Sequence, residues 1–335
     1  MSSEPTLQNH VTHFETGEPV SGCGWIKNNA VFVLGDGRIA SIDPDNQFKE
    51  TLAKPNSSFL VSAETKNALL AGGDDGQIIR ISDDLTCETI AGSHSHSWID
   101  ALTARMDGSF AFSIGKKVTA IDAKGRESTL DAPSSVRGLA FSPKGYRLAI
   151  AHYNGVSLWY PGTKTEHQFL EWKGSHLDVT WSPDARFVIS TMQENSLHVF
   201  RLLPTKIDLR MSHYPSKIRS LSWTADGKWL ATSGADCAIL WPFETADGPA
   251  SRRPEECGLR PARVSQVAAH PQSTVLAIGY NDGGILLVRL SDKGTLIVQP
   301  GNSEGEITSL KWDKKGENLA FGTSLGLIGV LRLPG

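Results

Sequence analysis

This chain has no surplus of either charge: 33 basic and 36 acidic side chains leave a formal net charge of −3. A nucleic-acid groove or an anionic membrane surface calls for a basic excess, so neither partner is expected. No apolar run is long enough to cross a bilayer. Cysteine is scarce: Cys23, Cys87, Cys237 and Cys257 are the only four, and none sits in a CxxC pair. The opening MSSEPTLQNHVTHFE holds neither the basic nor the apolar region of a signal peptide. Reduced thiols and a cytoplasmic location are therefore expected. Catalytic motifs are missing too, with no GxSxG elbow, HExxH, P-loop or kinase set. No enzymatic activity and no cofactor is expected. His94 and His96 offer two imidazoles to zinc or copper, with Cys87 near in sequence. A tetrahedral site needs more ligands at suitable spacing, so the pair reads as loop and no metal is expected.

What is present is repetition. Residues 217–241, KIRSLSWTADGKWLATSGADCAILW, read as three short strands separated by a Thr-Ala-Asp-Gly turn and a Gly-Ala-Asp turn. The same pattern occupies residues 20–43, 57–82, 99–122, 136–160, 176–200, 264–290 and 307–333. A period of about 40–45 residues with four strands per unit marks a propeller blade. The fourth, outer strand is expected from looser polar segments such as 47–52 and 295–299. The eighth repeat has no such segment, and residues 7–14 can supply it. That would join the chain ends in one blade and close a ring, which removes exposed edges.

The xxLxFSPxGxxLA…DGxxxLW pattern, clearest in LAFSPKGYRLAIAHYNGVSLW (139–159) and LSWTADGKWLATSGADCAILW (221–241), resembles the WD40 family over nearly the whole chain. The resemblance departs from the family at two points: no repeat ends in Trp-Asp, and Gly-His is replaced by Gly-Ser-His at 92–94 and 174–176. The family's Asp–His–Ser/Thr–Trp network is expected in repeat 6 as Asp236, His213, Thr232 or Ser233, and Trp241. Asp75, Asn154 and Asp282 hold its turn position in repeats 2, 4 and 7. A stand-alone propeller with short tails further resembles bacterial cytosolic WD40-repeat proteins.

Aligned columns separate two faces of the first strand. Trp25, Phe141, Trp181, Trp223 and Trp312 share one column, and Cys23, Leu60, Leu102, Leu139, Val179, Leu221, Val267 and Leu310 lie two residues earlier. Period-2 spacing puts both on one face, which is read as the packing between blades. The opposite column, with Val61, Ala140, Ser222 and Lys311 among its members, is read as a wall of mostly small residues around a channel, with Asp178 and Gln266 as polar groups lining it. His270 stands in a turn and is read as structural.

The expectation is a single all-β domain over residues 1–335: a closed WD40-type propeller of eight four-stranded blades, with seven as the alternative if repeat 1 or 2 lies outside the ring. Residues 1–16 precede the repeats. Residues 243–262 form an insertion read as partly disordered, with Arg260 and Arg263 ordered beside the next strand. The expected function is a monomeric, non-enzymatic scaffold that binds a protein or peptide at the loop-rich face and channel mouth. Its candidate residues are Trp98, Asp100, Arg137, Tyr153, Trp172, Asp178, Met192, Arg219 and Tyr280, because aromatics, Met and Arg concentrate at interface centres. Arg137 is placed close enough to Asp100 to pair. The competing reading is a small-ligand binder, metal binder or enzyme using Asp100, Asp178, Arg137 and His176.

Overall fold

The computed structural model describes residues 5–92, 97–203, 207–301 and 305–334, and almost all of their regular structure is antiparallel strand. The chain divides into two compact units, Met1–Thr51 with Tyr214–Gly335, and Leu52–His213.

The first unit holds the four-stranded sheets of repeats 1, 6, 7 and 8. Repeat 7 shows the pattern: Val264–Ala269, Val275–Tyr280, Ile285–Arg289 and Thr295–Gln299 pair in that order. The expected outer strand at 295–299 is therefore present, and in repeat 1 it is Phe48–Leu52. The sheet of repeat 8 takes its outer strand from the other end of the chain, Val11–Glu15, in register from Val11↔Leu331 to Glu15↔Leu327. Just before it, Leu7 N–H donates to the Ile297 carbonyl at 2.7 Å, which ties the same segment to the outer strand of repeat 7.

The second unit holds the sheets of repeats 2 and 3 and one six-stranded sheet. Eight four-stranded sheets were expected; the described residues form seven sheets, six of four strands and one of six, because repeats 4 and 5 share the last. Gln168–Trp181 is one unbroken strand that pairs with Leu148–Trp159 on one edge and Phe187–Met192 on the other. Repeats 1 and 2, the expected source of any reduction, each form a full sheet. A Tyr153↔Ser175 pairing carries the ladder across the former loop. Glycine permits this: Gly155 (φ +148) lies against the Leu170 carbonyl and Gly174 (φ +133) against the Met192 side chain, with no room for a Cβ at either.

First strands open alike. Val20, Phe59, His176, Val264 and Ile307 are each followed by a bulge, and all five are at most 2 % exposed. A bulge adds an unpaired residue and re-aims its side chain. Asp100, Arg137 and Arg219 hold the corresponding place after Ile99, Val136 and Ile218. The ladder also corrects one column: Phe59, not Ser57, opens repeat 2, so Ser62 and Ala63 replace Leu60 and Val61 in the aligned positions. Leu60 is the bulged residue and is exposed.

The aromatic column packs between sheets as expected: Trp25, Trp181 and Trp312 are 2 %, 5 % and 7 % exposed. Each indole also donates across a seam. Trp25 Nε1–H reaches the Lys311 carbonyl at 3.0 Å, Trp181 the Ala140 carbonyl at 3.0 Å and Trp312 the Ala268 carbonyl at 3.1 Å. Serines sew neighbouring first strands in the first unit. Ser220 Oγ accepts from Val267 N–H at 3.0 Å and Ser222 Oγ from Ala269 N–H at 2.9 Å. These inner strands are sheet edges, and the hydroxyls satisfy N–H groups that have no ladder partner. His270 is structural as read: its Nδ1 accepts from Gln272 and Ser273 N–H while Nε2–H donates to the Gly316 carbonyl at 3.0 Å, an arrangement that requires the neutral ring.

Candidate functional site

The polar network of repeat 6 is built on a different residue from the one expected. Tyr214, 8 % exposed, puts its hydroxyl 2.7 Å from Thr232 Oγ1 and accepts from Trp241 Nε1–H at 2.6 Å. Burial pushes the phenol up to about 12, so it stays neutral. His213 is exposed, adopts φ 75° and meets only its neighbour Ser212. The neighbouring Tyr214 supplies the hydroxyl that serves both Thr232 and the indole.

Seven of the nine candidate residues lie in the second unit. Asp100 Oδ2 accepts from Gly115 N–H at 2.7 Å, and its Oδ1 lies 3.5 Å from Arg137. The expected pair is thus formed, with Arg137 still 57 % exposed along its side chain. Trp98, two residues before Asp100, is 64 % exposed, and Tyr153 is 53 % exposed. Tyr153 N–H donates to Ser134 Oγ at 2.9 Å, which fixes it beside the loop that leads to Arg137. Asp178 is reached by solvent, yet the protein crowded around it desolvates the carboxyl and pushes it up to about 6. Its Oδ1 accepts only from Val179 N–H, at 2.8 Å.

Other candidates face inward. Trp172 stacks on His198 with centroids 4.1 Å apart, and its carbonyl accepts from His176 Nε2–H at 3.0 Å. It staples the continuous strand to the sheet. Met192 is 3 % exposed and supports Gly174, so it is core and not contact surface. Its position in a second-to-third strand turn suggested a rim residue, but the side chain points under the ribbon.

Arg219 and Tyr280 belong to the first unit. Arg219 is 66 % exposed and lies 3.6 Å from Glu306. Tyr280 is fully buried, so it too is removed from the contact set. Its hydroxyl donates to the Gly258 carbonyl, its ring lies 4.7 Å from the Arg260 guanidinium, and burial raises its pKa. Arg260 in turn donates to Asp282 at 2.9 Å. This clamp explains why the 243–262 insertion is not an irregular loop: it carries hydrogen-bonded turns and the outer strand Glu255–Cys257 of repeat 6. A cavity of about 780 Å³ opens nearby, lined by Pro215, Asp236, Arg263 and Asn281.

Of three buried imidazoles, His152 and His198 escaped the reading of the sequence, and His176 was placed there at the channel mouth and not in the core. His152, His176 and His198 are all 0 % exposed and all lie in the six-stranded sheet. His152 Nε2 lies 3.0 Å from Ser157 Oγ, and His176 Nδ1 lies 2.7 Å from Ser190 Oγ. His198 has no hydrogen-bond partner on either nitrogen and sits 3.7 Å from Asp208. Desolvation lowers the pKa of each, that of His198 to about 3. The only signal was their alternation with apolar residues. His94 and His96 lie outside the described residues. Among the described residues no group of three or more His, Cys, Asp or Glu is arranged to hold a metal, and no helix is long and apolar enough to cross a membrane.

Comparison with known proteins agrees with this geometry. Residues 207–241 match the family described as WD domain, G-beta repeat, and residues 267–333 match the WD40 domain of anaphase-promoting complex subunit 4. Periodic tryptophan protein 2 of Saccharomyces cerevisiae is 24% identical over 227 residues, which cover 55% of this chain and 24% of that protein. WD repeat-containing protein 1-B of Xenopus laevis is 28% identical over 123 residues, 35% of this chain and 20% of that protein. The chain thus spans about a quarter or less of the length of these curated relatives. Among solved structures, Saccharomyces cerevisiae Sqt1 superposes with a TM-score of 0.78 at 13% identity, covering 98% of this chain and 100% of Sqt1. The computationally designed Ika8 protein does so with a TM-score of 0.71 at 17% identity, covering 95% and 98%. Such identities speak for the fold alone: WD repeats in a β-propeller.

Proposed function

We propose that this chain is a non-enzymatic scaffold that binds a protein or peptide through the rim of the second unit, at Trp98, Asp100, Arg137 and Tyr153. WD-repeat propellers typically serve as protein-interaction scaffolds, and the specific surface is our reading. One observation carries it. Two aromatic side chains, 64 % and 53 % exposed, stand on the segments that hold Asp100 and the loop before Arg137, and the arginine itself is held by a single 3.5 Å side-chain contact. An exposed ion pair of this kind contributes at most about 1 kcal/mol, so the guanidinium is cheaply redirected to an incoming carboxylate. Strands and bulges fix the rim, so binding orders little that is not already ordered.

The competing reading at the channel mouth can use Asp178 but not His176 as a base. His176 spends both nitrogens on Ser190 and Trp172 and is fully buried. The test is capture of partners on the wild type and on a folded Trp98→Ala/Arg137→Ala variant, followed by affinity measurement on the purified pair. Loss of about tenfold or more in affinity supports the rim, on the scale of hot-spot residues; an unchanged affinity removes it.

A further inference from the structure

The seam between repeats 2 and 3 holds a cavity of about 650 Å³ whose lining has two chemistries. The core of this seam is formed, with Phe110 and Phe112 buried in it, and the cavity opens against Phe110. Its floor is apolar. Leu70 and Phe110 come from the second strands of the two repeats, Ile90 from the outer strand of repeat 2, and Met106 from the turn that follows Ala101–Ala104. Met106 is 53 % exposed there. The lip is polar. Lys66 and Asn67 stand on the turn between the first and second strands of repeat 2, and Arg80 and Ser82 at the end of its third strand. The cavity has a local origin. The ladders place Ala68 where repeats 4 and 6 carry Arg147 and Trp229. Arg147 leans across its seam to 5.5 Å from the Trp181 ring, and Trp229 packs into the cluster shared with repeat 7. A methyl group does not reach so far, and the seam beside it stays open.

Charge at the lip has one sign to spare. Lys66 and Arg80 bring two cations. Asp107 brings a carboxylate, but its oxygens already accept from Ser109 N–H at 2.9 Å and from Arg105 Nε–H at 3.2 Å. Arg80 Nη1 lies 3.3 Å from Glu88, with both side chains largely exposed. A single exposed contact of this kind holds weakly. It also displays the chemistry of the place, a guanidinium taking a carboxylate at the edge of the cavity. A second groove of about 480 Å³ shares Ile90 with the first and adds Phe112, Ile114 and Ile121.

We propose that this cavity binds a small amphipathic anion, a carboxylate on an apolar chain, with the chain on Leu70, Ile90, Met106 and Phe110 and the head at Lys66 and Arg80. A wholly apolar guest would leave the two cations unanswered, and a wholly polar one would leave the floor in water. An apolar pocket with a few convergent polar groups, of this volume, is the usual form of a small-molecule site. The unbranched thioether of Met106 adapts to a flexible chain. A longer chain has room to continue past Ile90 into the second groove. The site lies at the other end of the strand Ala101–Ala104 from Trp98 and does not depend on the rim.

Methionine methyl NMR reads the site directly. The chain has four methionines, and Met192 and Met211 are buried. In the methyl-labelled full chain, sodium octanoate below its micelle concentration should move the Met106 methyl saturably, assigned with Met106→Leu, while Met192 and Met211 stay in place. Hexanoate should bind about tenfold more weakly, because each buried methylene counts several-fold. Octan-1-ol should bind about tenfold more weakly than octanoate, the share of a charge-assisted head contact, and octylammonium more weakly still. The double variant Lys66→Gln/Arg80→Gln should bind octanoate no better than octan-1-ol. Ala68→Phe should fill the cavity and abolish the shift. A Met106 methyl that does not move, octan-1-ol or octylammonium binding as tightly as octanoate, or octanoate preference retained in the folded double variant would overturn the proposal, as would a shift retained in folded Ala68→Phe. Tighter binding of acetyl-Leu-Glu-Leu-amide than of octanoate would make a peptide the occupant and overturn the small molecule. If Ala68→Phe does not fold, the head and chain series on the wild type and the double variant decide.

Discussion

Trp25 donates its indole N–H to the main-chain carbonyl of Lys311 at 3.0 Å, across 286 residues of sequence. The bond joins the first strand of repeat 1 to that of repeat 8 within one unit, at the edge of the last sheet opposite the one that Val11–Glu15 completes. Packing of this tryptophan was predictable from its column; its donor role required knowing which carbonyl the neighbouring strand presents.

Trp25→Phe keeps a ring in the seam and removes the donor, leaving a carbonyl without its partner. A loss of about 1–2 kcal/mol in unfolding free energy is expected. Trp25→Ala also removes the ring and should cost about 3–5 kcal/mol. Urea titration followed by circular dichroism distinguishes the two; no loss in Trp25→Phe would mean the bond adds nothing, and equal losses would mean the ring adds nothing beyond the bond.

Tyr214 and His213 make opposite predictions. Tyr214→Phe leaves Trp241 Nε1–H without its acceptor and takes one of two partners from Thr232 Oγ1, which still donates to the Ile239 carbonyl at 3.2 Å, and should cost about 1–3 kcal/mol. His213→Ala touches an exposed ring and should change stability by less than about 0.5 kcal/mol. The reverse order would restore the histidine network that the sequence pattern suggests.

The buried imidazoles make stability depend on pH. His198 is neutral in the folded chain down to about 3, while in the unfolded chain it takes up a proton near its ordinary value of 6.5. A lowered folded pKa gives stability that is complete above 6.5 and is lost as pH falls toward 3. Within that window each pH unit costs about 1.4 kcal/mol for a group of this kind. His176 and His152 act in the same direction. His198→Phe should flatten the fall in Tm between pH 6.5 and 4 on this reasoning. An unchanged slope would assign the acid sensitivity to other groups.

Arg260 clamps the insertion through Asp282 and the Tyr280 ring. Arg260→Ala should leave overall stability within about 1–2 kcal/mol, because the pair is partly exposed. It should nevertheless speed tryptic cleavage after Arg252 several-fold, as local opening becomes easier. Cleavage at the wild-type rate would show that the strand Glu255–Cys257 holds the segment unaided.

The repeats, the strand boundaries near 295–299 and the joining of the chain ends were legible because alternation and turn chemistry are local signals. The merging of repeats 4 and 5 was not legible. It depends on Gly155 and Gly174 allowing two segments to approach, which a glycine in a loop does not announce. The rim was half legible. The Asp100–Arg137 pair follows from aligned positions on neighbouring repeats, and Trp98 and Tyr153 are exposed as expected. Met192 and Tyr280 occupy similar positions in the alignment, yet tertiary packing turns both inward. The register of repeat 2 slipped by two residues because a period-2 pattern fits equally well after such a shift.

The account rests most heavily on the rim of the second unit. Its most direct test is the affinity of a captured partner for wild type, Trp98→Ala and Arg137→Ala, measured by calorimetry with folding checked in each. The account predicts about a tenfold or greater loss for each substitution. For Arg137→Ala the loss should diminish as salt is raised, since an exposed charge contact is screened. Unchanged affinity in both folded variants would contradict it and move the binding surface elsewhere on the protein.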